Sequence, residues 1–322
     1  MASVYAWAMK RSVCNTGVVL AACLTLLSCG NLPPRSDGAA PVIVAALAPG
    51  SYSNHEQVWQ AQPLETPPVQ IDIAALGREG WVSWRTRLAG ATRLDATWAM
   101  RVVSDPSGGV VVTPHRALEV TAEPARFDPE TWTALEGCAL RGSASATRLE
   151  LAADPAACAA IAPGIGAQAA LLPLTIEQDG EWLRVRLFSD QARGADARTD
   201  ARRMHWFEGW AAVNGAGRNA TADNVDWHMN RGLRLGSEGG RQALNWRDGS
   251  ASGYSLLLER LTYREGGTPV LKLSVIEDAS AAVIVYAWAN PEATRIGINL
   301  GWVQIGLERE VEPLIARRRV GQ

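Results

Sequence analysis

The sequence predicts an all-β protein built from antiparallel strands, and three observations support this. Apolar and polar residues alternate with a period of two in several segments, as at Trp81–Leu88 and Trp182–Leu187, which is typical of strands with one buried face. Glycine-containing turn sequences separate these segments. With 47% hydrophobic and 20% charged residues, the chain can bury a substantial core. Many short strands joined by regular turns indicate a barrel or a sandwich.

The first residues of the chain indicate export. The basic pair Lys10 and Arg11 precedes a short apolar run at residues 18–24, which is typical of a signal peptide. The alternative is an N-terminal transmembrane anchor, but a spanning helix needs about 20 apolar residues. Polar and proline residues after position 30 end the apolar run. We therefore predict a signal peptide at residues 1–28.

A lipid-attachment motif ends this signal. The sequence Leu26-Leu27-Ser28-Cys29-Gly30 resembles the lipobox of bacterial lipoproteins, with Leu three residues before the cysteine and a small residue just before it. Gly rather than Asp after the cysteine is similar to lipoproteins that are sent to the outer membrane. We therefore predict lipidation of Cys29, attachment to the membrane through that lipid, and localisation at the outer membrane on its periplasmic or cell-surface face. Residues 29–44 would form a solvated tether.

The charge pattern argues against nucleic acid as a partner. Loss of Lys10 and Arg11 with the signal lowers the formal net charge from −2 to −4, and Lys272 is then the only lysine left. Binding to phosphate backbones depends on clustered Lys and Arg, whereas the arginines here are scattered through strand-like segments. We therefore expect no nucleic-acid partner.

The cysteine count predicts one disulfide. Of the five cysteines, Cys14 and Cys23 leave with the signal and Cys29 carries lipid, which leaves Cys138 and Cys158. Two thiols in an oxidising compartment usually join, although two buried free thiols are the alternative. We predict no metal site, because none of the four histidines stands at a zinc-ligand spacing beside these cysteines.

The remaining strands and turns follow the same pattern. Alternating segments also occur at residues 254–263, 270–275 and 296–304, and turn sequences at 106–109, 179–180, 248–249 and 266–267. Antiparallel hairpins are expected from this order. Helices are expected only near residues 42–60 and 128–136, where Asp128 could cap a turn that begins with Pro129.

Several motifs in the first half resemble the CpcT/CpeT-type chromophore lyases. Residues 50–57 place a Gly, an aromatic residue, an Asn and a Gln in the order of that family's opening. Residues 128–140 resemble its Gly-Cys stretch, 149–158 its following strand and second cysteine, and 183–194 its strand that ends near an Asp-Arg-Gly turn. The resemblance covers residues 45–210 and implies a lipocalin-like antiparallel barrel with a ligand-accepting calyx. Residues 211–322 would then be an additional β-rich C-terminal module that packs on the barrel or completes it.

The family attaches a bilin to a cysteine of phycobiliproteins, but this chain keeps only part of the relevant motif. Where the family has a Pro-Tyr-Arg-Gln-Arg-like sequence, this chain has Pro114-His115-Arg116-Ala117-Leu118, without the Gln and the second Arg. The resemblance therefore implies the fold more than the activity, and catalytic residues stay unknown. No cofactor is established by the resemblance. The candidate that it suggests is a bilin or another tetrapyrrole.

By the same resemblance, the calyx candidates are Gln57, Trp59, His115 and Arg116. Arg116 could hold a ligand carboxylate. Its alternative role is that of a surface strand arginine. The alternative for Gln57 is a hydrogen bond at a helix end or turn, and His115 after a proline is also a common exposed position.

The last third carries a second candidate cluster, which comprises Trp210, Asp226, Trp227, His228 and Glu238. Tryptophans beside polar residues could stack on a sugar or another flat ligand, and His228 near Asp226 could act as a general acid or base. The alternative is that these tryptophans are core residues of a sandwich.

Three classes of function follow. The first is a membrane-anchored lipoprotein whose calyx binds an apolar or tetrapyrrole-like ligand, and the second is a chromophore lyase or transferase as in the resembled family. The third is a structural or carbohydrate-binding envelope lipoprotein. Export favours binding over the family's reaction, because a bilin lyase acts on cytoplasmic proteins.

Overall fold

The first half of the chain forms a closed β-barrel. A computed structural model describes residues 47–61, 66–89, 93–118, 127–194, 197–264 and 266–311; the predicted signal peptide, Cys29 and tether lie outside these ranges. The strands of this half are β1 (Gly50–Ser53), β2 (Val69–Ala75), β3 (Trp81–Leu88), β4 (Leu94–Ser104), β5 (Val110–Ala117), β6 (Trp132–Ala134), β7 (Leu140–Ala144), β8 (Arg148–Ala152), β9 (Pro173–Asp179), β10 (Trp182–Leu187) and β11 (Thr199–Arg203). They form one antiparallel sheet in the order β4-β3-β2-β1-β11-β10-β9-β8-β7-β5-β6, and pairing of β4 with β5 closes a ten-stranded barrel. The predicted all-β barrel is confirmed.

Large apolar side chains fill the barrel core. Fully buried members include Tyr52, Trp84, Trp98 and Met100. Apolar and polar residues alternate along the barrel strands as predicted. The bounds of β3 and β10 are those that the sequence pattern predicts.

A helix that the sequence analysis did not predict packs against this core. Helix α2 (Pro155–Ile165) follows Asp154, whose side chain accepts hydrogen bonds from two backbone N–H groups of the first turn. Leu171 at the end of the following 3-10 turn is buried in the barrel core. Cys158 of α2 forms the predicted disulfide with Cys138, which confirms that pairing.

The second half forms a sandwich of two four-stranded sheets. Its strands are β12 (Trp206–Asn214), β13 (Trp227–Gly236), β14 (Glu238–Asn245), β15 (Ala251–Leu261), β16 (Val270–Glu277), β17 (Ala282–Ala289), β18 (Arg295–Asn299) and β19 (Val303–Arg309). Sheet 1 has the order β13-β12-β19-β18, and sheet 2 the order β14-β15-β16-β17. Inward residues of both sheets, such as Phe207 and Leu273, share one core.

One sequence expectation in this half is corrected. Residues 296–304 are not one strand but the hairpin of β18 and β19, because a turn at residues 300–302 interrupts the alternation. The last barrel strand, β11, ends at Arg203, and the first strand of sheet 1, β12, begins at Trp206. Apolar and polar residues continue to alternate in β12. The sequence pattern therefore gives no sign that the chain passes from the barrel sheet to sheet 1 at this point.

The helices in the described ranges are short. The expected helix near 42–60 is α1 (His55–Gln60). Near 128–136 the chain forms 3-10 turns at Pro129–Thr131 and Glu136–Cys138, and Asp128 caps the first by accepting from the backbone N–H of Glu130. Among the described residues, no helix has the length and apolar character needed to cross a membrane.

Candidate functional site

The first two calyx candidates lie on α1, at the outside of the barrel. The side-chain amide of Gln57 donates to the backbone oxygen of Arg198 (2.9 Å) and accepts from the backbone N–H of Asp200 (3.1 Å). Gln57 therefore holds α1 against the start of β11. Trp59 is largely exposed and meets Tyr263 edge-on, with ring centroids 5.3 Å apart.

The other two candidates lie on β5 and make a separate set of contacts. His115 is buried, its Nδ1 is 2.9 Å from the backbone oxygen of Thr113, and its ring meets Trp81 edge-on at 4.7 Å. Burial lowers the pKa of His115. Arg116 donates to the backbone oxygen of Gly164 at the end of α2 (2.7 Å). The four candidates are thus divided between two places.

The core of the barrel contains a few polar groups. The indole N–H of Trp84 donates to the hydroxyl of Thr86 (2.9 Å), and the amide of Gln178 donates to the hydroxyl of Tyr52 (2.7 Å). The indole nitrogen of Trp98 is buried without a hydrogen-bond partner among the described residues. A buried donor without an acceptor is unusual in a native core.

The second predicted cluster is divided among three places. Asp226 and His228 do meet, with Oδ2 and Nε2 3.0 Å apart. However, Nδ1 of His228 accepts from the backbone N–H of Arg247 (3.0 Å), and Trp246 packs edge-on against the ring. The guanidinium of Arg247 also donates to the backbone oxygen of Trp227 (3.1 Å). Since both ring nitrogens of His228 are engaged, this group links two strand ends.

Glu238 lies elsewhere, in the joint between barrel and sandwich. Its carboxylate is fully buried and accepts from Arg202 of the barrel (3.0 Å) and from Arg260 of the sandwich (2.8 Å). Burial raises the pKa of Glu238, and the two guanidinium groups act in the opposite direction. Glu56 of α1 also binds Arg202 (2.7 Å) and the backbone N–H of Thr262 (2.7 Å). We call these four side chains, Glu56, Arg202, Glu238 and Arg260, the joint cluster.

Three possible metal ligands lie next to this cluster. Oxygen and nitrogen atoms of Glu181, His205 and Glu292 fall within 4.8 Å of one another. Arg260 is 2.8 Å from Glu181, and Arg309 is 3.2 Å from Glu292 and also contacts the ring of His205. The hydrogen bond from His205, followed by the charge of Arg260, lowers the pKa of Glu181 to about 2. Two guanidinium groups thus already supply the positive charge that these carboxylates require.

Trp210 lies in a trough on the outer face of sheet 1. The trough has a volume of about 890 Å³ and is lined by residues of four strands: Glu208, Gly209, Trp210, Arg231, Gly232, Arg295, Ile296, Gly297, Gly306, Leu307, Glu308, Arg309 and Glu310. Gly306 pairs with Trp210 on one side and Gly297 on the other. A Cβ atom at Gly306 would lie 3.1–3.4 Å from three atoms of the indole, so the ring covers this glycine.

A β-bulge positions the trough's polar residues. The register of β12 and β13 shifts so that Trp210 pairs with Arg231 and Gly232 is skipped, with Gly232 at φ +65°. Bulges commonly redirect side chains beside functional sites. Arg231 forms no ion pair or side-chain hydrogen bond within the part of the chain that the structure describes. Across the trough, Arg295 pairs with Glu308 (2.5 Å).

An aromatic surface on sheet 2 was not predicted from the sequence. Trp59 joins Tyr263, Tyr286 and Trp288 in a series of ring contacts. The signal was present at Tyr286 and Trp288, which alternate with small apolar residues in β17. Their association with Trp59 required the fold.

Comparisons with protein-family models, curated proteins and solved structures gave no match for this chain. The resemblance to the CpcT/CpeT-type lyases therefore stays a prediction.

Proposed function

We propose that this chain is a lipid-anchored envelope protein that binds a saccharide in the trough of sheet 1 without transforming it. The observation that carries the proposal is the exposed indole of Trp210, which lies over a glycine floor and is surrounded by arginines and glutamates. An aromatic face with a polar rim is suited to stacking on a sugar ring.

The charges of the trough agree with this ligand. Its acidic residues, Glu208, Glu308 and Glu310, are balanced by Arg231, Arg295 and Arg309. Alternating carboxylates and guanidinium groups offer both hydrogen-bond acceptors and donors, and each sugar hydroxyl can use both. A concave apolar floor with a few convergent polar groups is the usual form of a small-molecule site.

Glycines of the floor also allow the neighbouring strands to approach closely. A Cβ atom at Gly209 would overlap the backbone oxygen of Gly306, and one at Gly297 would lie 2.5 Å from the backbone oxygen of Ile305. Glycines inside strands often mark a place where another group approaches the backbone closely. Here the approaching group is the backbone of β19.

The binding experiment uses the full chain in detergent and a panel of soluble bacterial envelope oligosaccharides, with affinities from titration calorimetry. Trp210→Ala should weaken binding at least tenfold, about 1.4 kcal/mol, because the stacking face is lost. Trp182→Ala, a half-buried tryptophan on β10 outside the trough, is the matched control and should bind as wild type. Equal binding by Trp210→Ala and wild type would reject the trough as the site.

Anchoring is a separate part of the proposal, supported by the lipobox-like sequence before Cys29. Cells that express the wild-type chain in a bacterial host and are fed radioactive palmitate should incorporate label into the protein. Cys29→Ala should abolish the label. Label that persists in the variant would reject lipidation at this cysteine.

A second candidate is a barrel calyx for an apolar or tetrapyrrole-like ligand. The buried, unpartnered indole N–H of Trp98 favours it, because a ligand acceptor could satisfy this group. Biliverdin and haem should then quench tryptophan fluorescence saturably, and Trp98→Phe should weaken that binding, with Trp210→Ala as the control. Absence of saturable binding would reject the calyx. We do not propose the lyase reaction, because residues 114–118 lack the second half of the family's motif.

A further inference from the structure

We propose that the outer face of sheet 2 carries a second saccharide site, separate from the trough, which stacks two or three neutral sugar rings on an aromatic platform. The platform comprises Trp59, Tyr263, Tyr286 and Trp288, with Lys272 and Ser274 at its base. This inference rests on contacts of sheet 2 and α1, and not on the trough.

The four rings form a contiguous row of pairwise contacts. Tyr286 and Trp288 are stacked, with centroids 5.4 Å apart and planes inclined by 29°. Tyr263 continues the row, 5.8 Å from Trp288 at an inclination of 37°. The ring plane of Trp59 is inclined by 70° to that of Tyr263, and Trp59 forms the end of the row. Trp288 is 59% exposed and Tyr286 is 54% exposed, so both rings are accessible to a ligand.

Strand alternation explains why these groups share one face. In β16, Leu271 and Leu273 point into the sandwich core, so Lys272 and Ser274 point outward. The register pairs Lys272 with Trp288 and Ser274 with Tyr286. Outward residues of β16 and β17 therefore meet directly, and α1 adds Trp59 from the barrel side.

Lys272 holds the platform in place from beneath. Its ammonium lies 5.8 Å from the ring centre of Tyr263 and 5.5 Å from that of Tyr286, within the range of cation–π attraction. The side chain is only 16% exposed, and its Nζ is 4.0 Å from Glu259, which also binds His55 (3.0 Å). Lys272 is one of only two lysines in the sequence, and it is enclosed among aromatic rings. A platform fixed in this way loses little freedom when a ligand binds.

The charge of the platform selects a neutral ligand. A cationic ligand would be repelled by Lys272, which already occupies the cation–π position. An anionic ligand would meet Glu259 beside that lysine. Ser274 lies fully buried beneath the rings, and its hydroxyl has no hydrogen-bond partner in the described ranges. Flat apolar faces with hydroxyl groups at their edges, as in neutral sugars, fit this combination.

The experiment measures binding of cellohexaose, chitohexaose and maltohexaose to the full chain in detergent by titration calorimetry. At least one should bind, and Trp288→Ala and Tyr286→Ala should each weaken that binding about tenfold, as expected when one stacking ring is lost. Both side chains are exposed, so the variants should keep the wild-type melting temperature.

Trp210→Ala separates this inference from the trough proposal. If Trp210→Ala binds the hexasaccharide as wild type while Trp288→Ala does not, the platform stands whatever ligand the trough takes. Equal affinities of wild type and Trp288→Ala, or no binding of any of the three hexasaccharides, would overturn the platform. Quenching of tryptophan fluorescence by brominated phospholipid vesicles that disappears in Trp288→Phe, without saccharide binding, would assign the surface to a membrane interface instead.

Discussion

Removal of the disulfide should destabilise the barrel by an amount that the loop length determines. Cys138 and Cys158 are separated by 20 positions and both are fully buried. On the chain-entropy model, a loop of that length restricts the unfolded chain by about 11 cal/mol/K, or about 3 kcal/mol at 25 °C. The double change Cys138→Ala and Cys158→Ala should therefore lower the free energy of unfolding by about 3 kcal/mol. For a chain of 322 residues, with an unfolding entropy of about 2.1 cal/mol/K per residue, that corresponds to a fall in melting temperature of roughly 5 °C.

The assay is urea unfolding of the oxidised wild type and the double variant, followed by tryptophan fluorescence. Wild type treated with a reductant under native conditions is the control and should unfold like untreated protein, because both sulfur atoms are inaccessible. The same reductant added in urea should shift wild type to the midpoint of the variant. A loss below about 1 kcal/mol in the variant would refute the loop-entropy reasoning.

Two further predictions concern the stability of the protein at low pH and the packing of strands in sheet 1. The pKa of Glu181 is lowered from 4.5 to about 2, so its stabilising effect is complete above pH 4.5 and is lost as the pH falls towards 2. Glu181→Gln should flatten the decline in stability over this interval, measured by urea midpoints at successive pH values; parallel curves would contradict this. Gly209→Ala should destabilise the protein by about 1–3 kcal/mol, because its Cβ would overlap the backbone of β19. Gly301→Ala, where nothing lies within 4 Å, is the control, and equal urea midpoints of the two variants would contradict the prediction.

The strands could be predicted because burial on one face leaves a period of two in the sequence. The bounds of β3 and β10 were readable for this reason. Helix α2 was missed because its segment is rich in alanine and contains Pro163 and Gly164, so no apolar stripe is visible. The available signal was Asp154 followed by Pro155, which is a typical helix start.

The candidate sites were less predictable, because they depend on which strands become neighbours. Trp210 and Arg231 were recognisable as aromatic and charged residues of one region, but their pairing depends on the bulge at Gly232. Trp59 and Trp288 are far apart in the sequence and are joined through Tyr263 only after α1 docks against sheet 2. The aromatic residue types indicated that some ligand could stack on them. The place where these residues come together could be found only from the tertiary structure.

The joint cluster should also oppose bending between the barrel and the sandwich. Between β11 and β12 the chain leaves the barrel for the sandwich through only Met204 and His205, a length that by itself would act as a hinge. The buried carboxylate of Glu238 forms ion pairs with Arg202 of the barrel and Arg260 of the sandwich. Rotation at the joint would separate these buried charges, which is strongly unfavourable. The ion pairs should therefore make the joint rigid. A pull on the sandwich would therefore be transmitted to the barrel without bending at the joint. Both sandwich faces would keep a constant direction relative to the barrel.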